Sequence, residues 1–372
     1  MESNTLKKNG YEVSIICPKG KGFESDHECI NGINIYRHYL PSEISSTAGY
    51  IREYLFALYH EFRLALKIKK KHGFDIIQIC NPPDILFLVT IWFKWLYRCK
   101  VIFDHHDLNP ELFESKFNKR GFFYHMLKIA EKLTFKTADM VISTNESYKE
   151  IAIKRGNKDE NKVHVVRSGP DLSFFKLQPK DINIKNGRKY LVGYLGVMGE
   201  FDGVDTLIKS ASIIVNDNKR TDIQFCLVGS GPCFDDLIAL TKELGLDDFI
   251  EFTGRVSDQD LLRYLSTCDI CVNPDPVNSL NDKSTMNKIL EYMALAKPIV
   301  QFDVLEGRRS ALEASWYAEP NDLNDFAEKI IKLCDSDDSV KKTMGDFGLQ
   351  RMTKELEWKY QSKKLIEAYS SI

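Results

Sequence analysis

Two stretches of this chain carry side chains whose types and spacing suit chemistry on a phosphorylated ligand. The first is Asn273 to Val300, NPDPVNSLNDKSTMNKILEYMALAKPIV. Pro274 and Pro276 make its beginning a loop. Ser284-Thr285 then offers a helix N-cap, and Met286, Ile289, Leu290 and Met293 follow at helical spacing. Lys297-Pro298 ends that helix, and Ile299-Val300 begins an apolar strand. A helix N-terminus aimed at a cleft presents unpaired N–H groups and partial positive charge, which suits a phosphate. Glu291 lies about two turns into the helix, on a different part of its surface from Lys288. An acid there can accept two hydrogen bonds from ribose hydroxyls. The same spacing also fits a surface helix with ordinary charges.

The second stretch is Val101 to Asp107, an apolar strand whose C-terminal end carries His105, His106 and Asp107. In open α/β sheets the ligand crevice lies outside the carboxyl ends of the strands. Neighbouring strand residues face opposite sides, so His106 is expected to act at the reaction centre and His105 to point into the core. Imidazole there can accept a hydrogen bond or carry positive charge as a leaving group departs. Asp107 would orient the ring or cap the next turn. The alternative is that both histidines only satisfy local backbone groups. A third, weaker signal is Gly196-Val-Met-Gly199, a turn after the strand Tyr190–Leu195, where glycines let backbone approach a diphosphate.

These residues need strands and helices to hold them, and both halves of the chain supply the alternation. Strand patterns at Tyr11–Cys17, Gly32–Tyr36, Asp75–Cys80 and Val101–Asp107 alternate with helical runs at Tyr50–Lys71 and Ile85–Tyr97. The second half repeats the scheme, with Ile223–Val228 ending in Gly229-Ser-Gly231-Pro232. That alternation predicts two parallel-sheet α/β domains facing across a cleft. The expected division is 1–175, a polar linker at 176–188, 189–350, and a terminal helix at 351–372 returning toward the first domain.

At 372 residues the chain has room for two domains. Residues 1–170 hold 26 Lys and Arg against 20 Asp and Glu, or +6, while the remainder is −8. A basic first half suits anionic lipid or an anionic acceptor, and no interleaved Arg/aromatic motif argues for nucleic acid. Lys67, Lys69, Lys70 and Lys71 form a basic helix end that is either a solvated face or a membrane-facing patch. The nine cysteines are scattered in apolar runs, which fits a reducing cytosol. Cys268 and Cys271 have no second pair, so core packing is favoured over zinc. Ile85 to Tyr97 is broken by Lys94 and too short to span a bilayer, leaving a core helix or one dipping into the interface.

The run Lys-Ile-Leu-Glu-Tyr-Met-Ala…Lys-Pro-Ile-Val, residues 288–300, resembles the donor-site helix of GT-B glycosyltransferases, specifically glycosyltransferase family 4. That family has two Glu separated by seven residues. Glu291 matches the second, and the first falls on Lys283, where the family's donor-sugar contact is changed. With these, the resemblance assigns Ser284, Thr285 and Lys288 to the donor site. Ile250–Val256 resembles the family's base-contacting strand end, which adds Gly254, Arg255 and Val256. Around Gly196 and Gly199 the family's diphosphate-binding Arg and Lys fall on Val197 and Asp202, and Lys288 is the candidate replacement.

FDHHDLNPELFESKF, Ala138–Glu146 and Lys162–Asp171 resemble a polysaccharide-building branch of the family, and His106 aligns with its histidine. The family's first strand and Gly-rich loop have no counterpart before Tyr11, which suggests a late start codon or a natural truncation. The resemblance implies the GT-B fold, a nucleotide-sugar donor as substrate, and transfer with retention. It implies no metal and no cofactor, and a lipid-linked glycan acceptor at the inner face of the membrane. Two rivals remain. One is a GT-B sugar-nucleotide epimerase, and the other a non-catalytic nucleotide-sugar-binding protein.

Overall fold

The helix Glu2–Lys8 opens the chain and is followed by Gly10 at φ 90°. Strands β1 (Ser14–Pro18), β2 (His27–Ile30) and β3 (Ile33–His38) then form a sheet in the order β1-β3-β2. β2 and β3 pair antiparallel across Asn31-Gly32, both at positive φ, the turn whose twist matches that of the strands. The sequence reading has β1 and β3 but not β2, although Asn-Gly is the signal for that partner. In this computed structural model, residues 1–40, 47–117 and 119–372 are described.

The chain divides into two units, Met1–Arg167 with Lys359–Ile372, and Ser168–Trp358. In the first, β4 (Ile76–Cys80), β5 (Lys100–His105), β6 (Met140–Ser143) and β7 (Val163–Val165) form a parallel sheet in chain order. Val101, Phe103 and Val141 bury one face of it against Phe135 and Ala152 from the helices Phe122–Thr137 and Glu146–Lys154. Val89 and Phe93 of the helix Phe87–Tyr97 pack with Ala65 and Cys99 in a second cluster.

The second unit has six parallel strands: β8 (Tyr190–Leu195), β9 (Ile223–Val228), β10 (Ile250–Gly254), β11 (Ile270–Asn273), β12 (Ile299–Phe302) and β13 (Ser315–Ala318). Their order is β10-β9-β8-β11-β12-β13. On β8, Tyr190, Val192 and Tyr194 face one core while Leu191 faces the other, as a sheet covered on both sides requires. The chain leaves β8 in one direction and resumes at β11 in the other. The switch point, and the crevice it opens, lies at the C-terminal ends of β8 and β11.

Several sequence expectations are corrected. Residues 176–188 belong to the second unit rather than linking two bodies. Ile184 is buried in its core, and the backbone N–H groups of Gln178 and Asp181 donate to Ser266 Oγ and Thr267 Oγ1. The terminal helix is interrupted, as Asp338–Arg351 and Trp358–Ser370 are separated by a wide turn and by Glu357 in extended conformation. Lys69 is tied down: its Nζ donates to the Phe74 carbonyl and lies over the Phe74 and Tyr97 rings. Lys67, Lys70 and Lys71 are exposed. The charged amine at 69 therefore anchors the helix end and leaves three lysines for solvent.

Candidate functional site

In the second unit the site residues gather at the switch point. Gly196 and Gly229 directly follow β8 and β9, Gly254 ends β10, and these backbones touch. Gly229 N–H donates to the Gly254 carbonyl, and a Cβ on Gly229 would lie 1.9 Å from the Gly196 carbonyl oxygen. With Gly229 at φ 135°, no other residue fits without moving the turn. Gly199 N–H donates to Asp202 Oδ2 at 3.0 Å. Asp202 therefore shapes the turn where the family has a cation, and Val197 is exposed beside it.

Lys288 closes the other side. Its Cε lies 3.4 Å from where a Gly196 Cβ would be, and its Nζ sits over the Tyr194 ring. Nζ also pairs with Asp275 Oδ1 at 2.8 Å, in the loop after β11. Asp275 is buried, which pushes its carboxyl pKa up while Lys288 offsets part of the rise. Glu291 lies one turn on, half-buried. Burial raises its pKa and Lys288 opposes this. No hydrogen bond to its carboxylate is found among the described residues, so its oxygens remain available to hydroxyl donors. Tyr292 OH accepts from Leu195 N–H at 2.8 Å and donates to the Val272 carbonyl, which pins this helix to the ends of β8 and β11.

The helix itself starts later than its sequence suggests. It spans Asn287–Ala294 with Met286 as N-cap and no side-chain cap. Ser284 Oγ donates back to the Leu280 carbonyl, and Lys283 ends a short 3-10 turn, Asn281–Lys283. Ser284 and Thr285 thus lead into the helix rather than capping it. Arg255 is exposed beyond β10 with no ion pair among the described residues, and Val256 packs on the core.

In the first unit the site is the end of β5. His105 is fully buried among Phe103, Phe135 and Tyr148. Burial, helped by the Arg155 charge, lowers its pKa to about 3, so it stays neutral. His106 points the other way and is partly exposed, with Nε2 2.9 Å from Asp104 Oδ2. That bond raises the imidazole pKa against the opposing effect of burial. The residue that orients the ring is therefore Asp104, two positions earlier on the same strand face, and not Asp107. Asp107 is half-buried, and burial raises its pKa. Buried Asn81 holds the loop: Oδ1 accepts from the backbone N–H of His106 and Asp107, and Nδ2 donates to the Asp107 carbonyl and Asp84 Oδ1.

The structure thus brings Gly196, Gly254, Lys288 and Glu291 together on one unit, and places His106 and Asp107 on the other. Asp104, Asn81, Gly229, Asp275 and Tyr292 are additional. Only Gly229 had a sequence signal, the glycine pair after β9.

Known proteins resemble both halves of this chain. The profile of Glycosyltransferase Family 4 matches residues 2–174, and that of Glycosyl transferases group 1 matches residues 189–336. The chitobiosyldiphosphodolichol beta-mannosyltransferase of Candida albicans is 24% identical over 75% of this chain and 64% of its own length. The capsular polysaccharide biosynthesis glycosyltransferase CapM of Staphylococcus aureus is 26% identical over 68% of this chain and 66% of its own. The chain thus spans just under two thirds of these relatives. The sucrose-phosphate synthase of Thermosynechococcus elongatus superposes with a TM-score of 0.78 at 17% identity, covering 99% of this chain and 91% of that one. Two parallel-sheet units, a glycine-lined switch point and two profiles that together take in both halves lead to one assignment: the chain is a glycosyltransferase of the GT-B fold, its first half matching Glycosyltransferase Family 4 and its second Glycosyl transferases group 1.

Proposed function

We propose that this protein transfers a sugar, with retention of anomeric configuration, from a nucleotide-sugar donor to a lipid-linked glycan in cell-surface polysaccharide synthesis. The donor reading rests on the contact of Gly196, Gly229 and Gly254 with Lys288 beside them and an unbonded Glu291 one turn away. Glycine backbone admits the diphosphate, Lys288 meets its charge, and Glu291 accepts from the ribose hydroxyls. His106, charged or hydrogen-bonding, serves the departing and incoming groups at the reacting carbon.

The acceptor reading draws support from the names of two relatives, one acting on a dolichol diphosphate and one in capsule synthesis. It also draws on the first unit's surface. No helix among the described residues is long and apolar enough to cross a membrane. Yet Leu88, Ile91, Trp92, Trp95 and Leu96 form an exposed apolar stripe on the helix Phe87–Tyr97, with Trp95 82% exposed. Phe122, Met126, Ile129 and Leu133 form another on the adjoining helix Phe122–Thr137. Stripes of this kind, with Lys132 and Lys136 on the second helix also exposed, suit a peripheral seat on an anionic inner membrane surface.

The test is calorimetry with UDP, GDP and dTDP. One of them is expected to bind, and Glu291→Ala should weaken that nucleotide by about 2 kcal/mol, as for a lost charge-assisted pair. Unchanged affinity in the variant would remove Glu291 from the site.

A further inference from the structure

At the open end of the first unit's sheet, β4 and β5 finish side by side with three different metal-ligating groups. Cys80 is the last residue of β4, Asp104 is its register partner on β5, and His106 follows on the same face. Their donor atoms all lie within 4.8 Å of one another. Cys80 Sγ is 3.6 Å from Asp104 Oδ2, and His106 Nε2 is 2.9 Å from the same oxygen. Donors around a tetrahedral zinc stand about 3.5 Å apart, given bonds of about 2.0–2.3 Å. The Cys80–Asp104 pair already has that spacing, and a rotation of the partly exposed His106 ring would complete it.

A second observation concerns Asp104 alone. It is 2% exposed, and its other oxygen, Oδ1, has no hydrogen-bond partner. A buried carboxylate with unused acceptor capacity is costly unless something occupies it. The surrounding hydrogen bonds hold it in place as an outer shell would. Gln78 Nε2 donates to Oδ2 at 2.7 Å and to Glu2, while Tyr369 OH bonds Gln78 Oε1. The local balance is also anionic, with the Glu2 and Asp104 carboxylates brought together on the Gln78 amide. A divalent cation would reverse that repulsion.

We propose that Cys80, Asp104 and His106 form a binding site for a thiophilic divalent cation of the zinc type. The ion takes Cys80 Sγ as thiolate, releasing its proton to solvent, together with a carboxylate oxygen of Asp104 and Nε2 of His106. The fourth position stays open to water on the exposed side. Such an ion takes His106 Nε2 away from Asp104, so zinc inhibits sugar transfer. That last consequence rests on the role proposed for His106, whereas the binding itself does not.

The test uses the full chain and Co²⁺ as a spectroscopic probe, followed by Zn²⁺. One equivalent of Co²⁺ is expected to give a thiolate-to-cobalt charge-transfer band in the near ultraviolet, which Zn²⁺ abolishes. Cys80→Ser should remove the band, and His106→Ala should weaken Co²⁺ binding at least tenfold, with far-ultraviolet circular dichroism unchanged in both. A band that survives Cys80→Ser would assign the metal to another of the nine cysteines and overturn the proposal. The absence of any band at millimolar Co²⁺ would overturn it too. Zinc binding without inhibition would leave the site standing and count instead against His106 in transfer.

Discussion

His106 and Asp104 act as a pair because one β-strand places residues two apart on the same face. The ring is thereby held by a buried carboxylate and offered to solvent at its open edge. If His106 works on the transferred sugar, His106→Ala should cut turnover by about 100-fold in a single-turnover assay. Nucleotide affinity, which the proposal above gives to the other unit, should be nearly unchanged by calorimetry. Equal turnover in variant and parent would place the reacting group elsewhere. A second residue-scale prediction concerns Glu131, fully buried beside Arg155, with Glu111 and Asp84 near and neutral His105 at 4.0 Å. Burial raises its pKa to about 7 in spite of Arg155. The folded state then keeps a proton on Glu131 that the unfolded chain gives up at its ordinary carboxyl pKa. That stability is full below pH 4.5 and is lost as pH rises through about 7. Glu131→Gln, measured by urea unfolding at pH 5 and pH 7.5, should lose less stability over this interval than the parent. An equal or larger loss would mean that Glu131 is ionised throughout.

Elements carry the next level of function. The helices Phe87–Tyr97 and Phe122–Thr137 bury one face each and leave the other apolar and exposed. If that face seats on a bilayer, the protein should sediment with anionic vesicles in preference to neutral ones. Binding should fall as salt is raised, because exposed charges are screened over about 10 Å at 0.1 M. Trp92→Ser with Trp95→Ser should weaken binding at least tenfold, since each buried aromatic contributes about 1.5–3 kcal/mol. No preference for anionic lipid, or no effect of the double substitution, would exclude the seat.

For the molecule as a whole, the chain's last segment belongs to its first unit. Tyr369 lies edge-on to Tyr11 and bonds Gln78, Ser371 Oγ reaches Met140, and Gln361 accepts from Arg167 N–H. Leu365 and Ala368 are completely buried. Deleting 359–372 should expose these partners at a cost on the order of 4 kcal/mol. The first unit should then become the early target in limited proteolysis, while nucleotide affinity of the second stays within threefold. A truncated chain as resistant as the parent would show that the segment adds nothing to the first unit's stability.

Sequence alone was enough for two α/β domains and for the strand ends on which the candidate residues sit. The opposite facing of His105 and His106 followed from strand periodicity, and the position of Glu291 from helical spacing and a family motif. Those signals are local, written within a few residues of one another. What sequence left out depended on groups brought together from afar. Asn81 clamps a loop 25 residues away, and Asp275 meets Lys288 across 13. Gly229 became essential only because the Gly196 carbonyl lies against it. The start of the helix that carries Glu291 shifted because Ser284 bonds back to Leu280 instead of forward. The presumed linker turned out to be packed because Ile184 finds a core, which its polar neighbours conceal. Periodicity records which face a residue is on, and only the folded chain decides which distant group waits there.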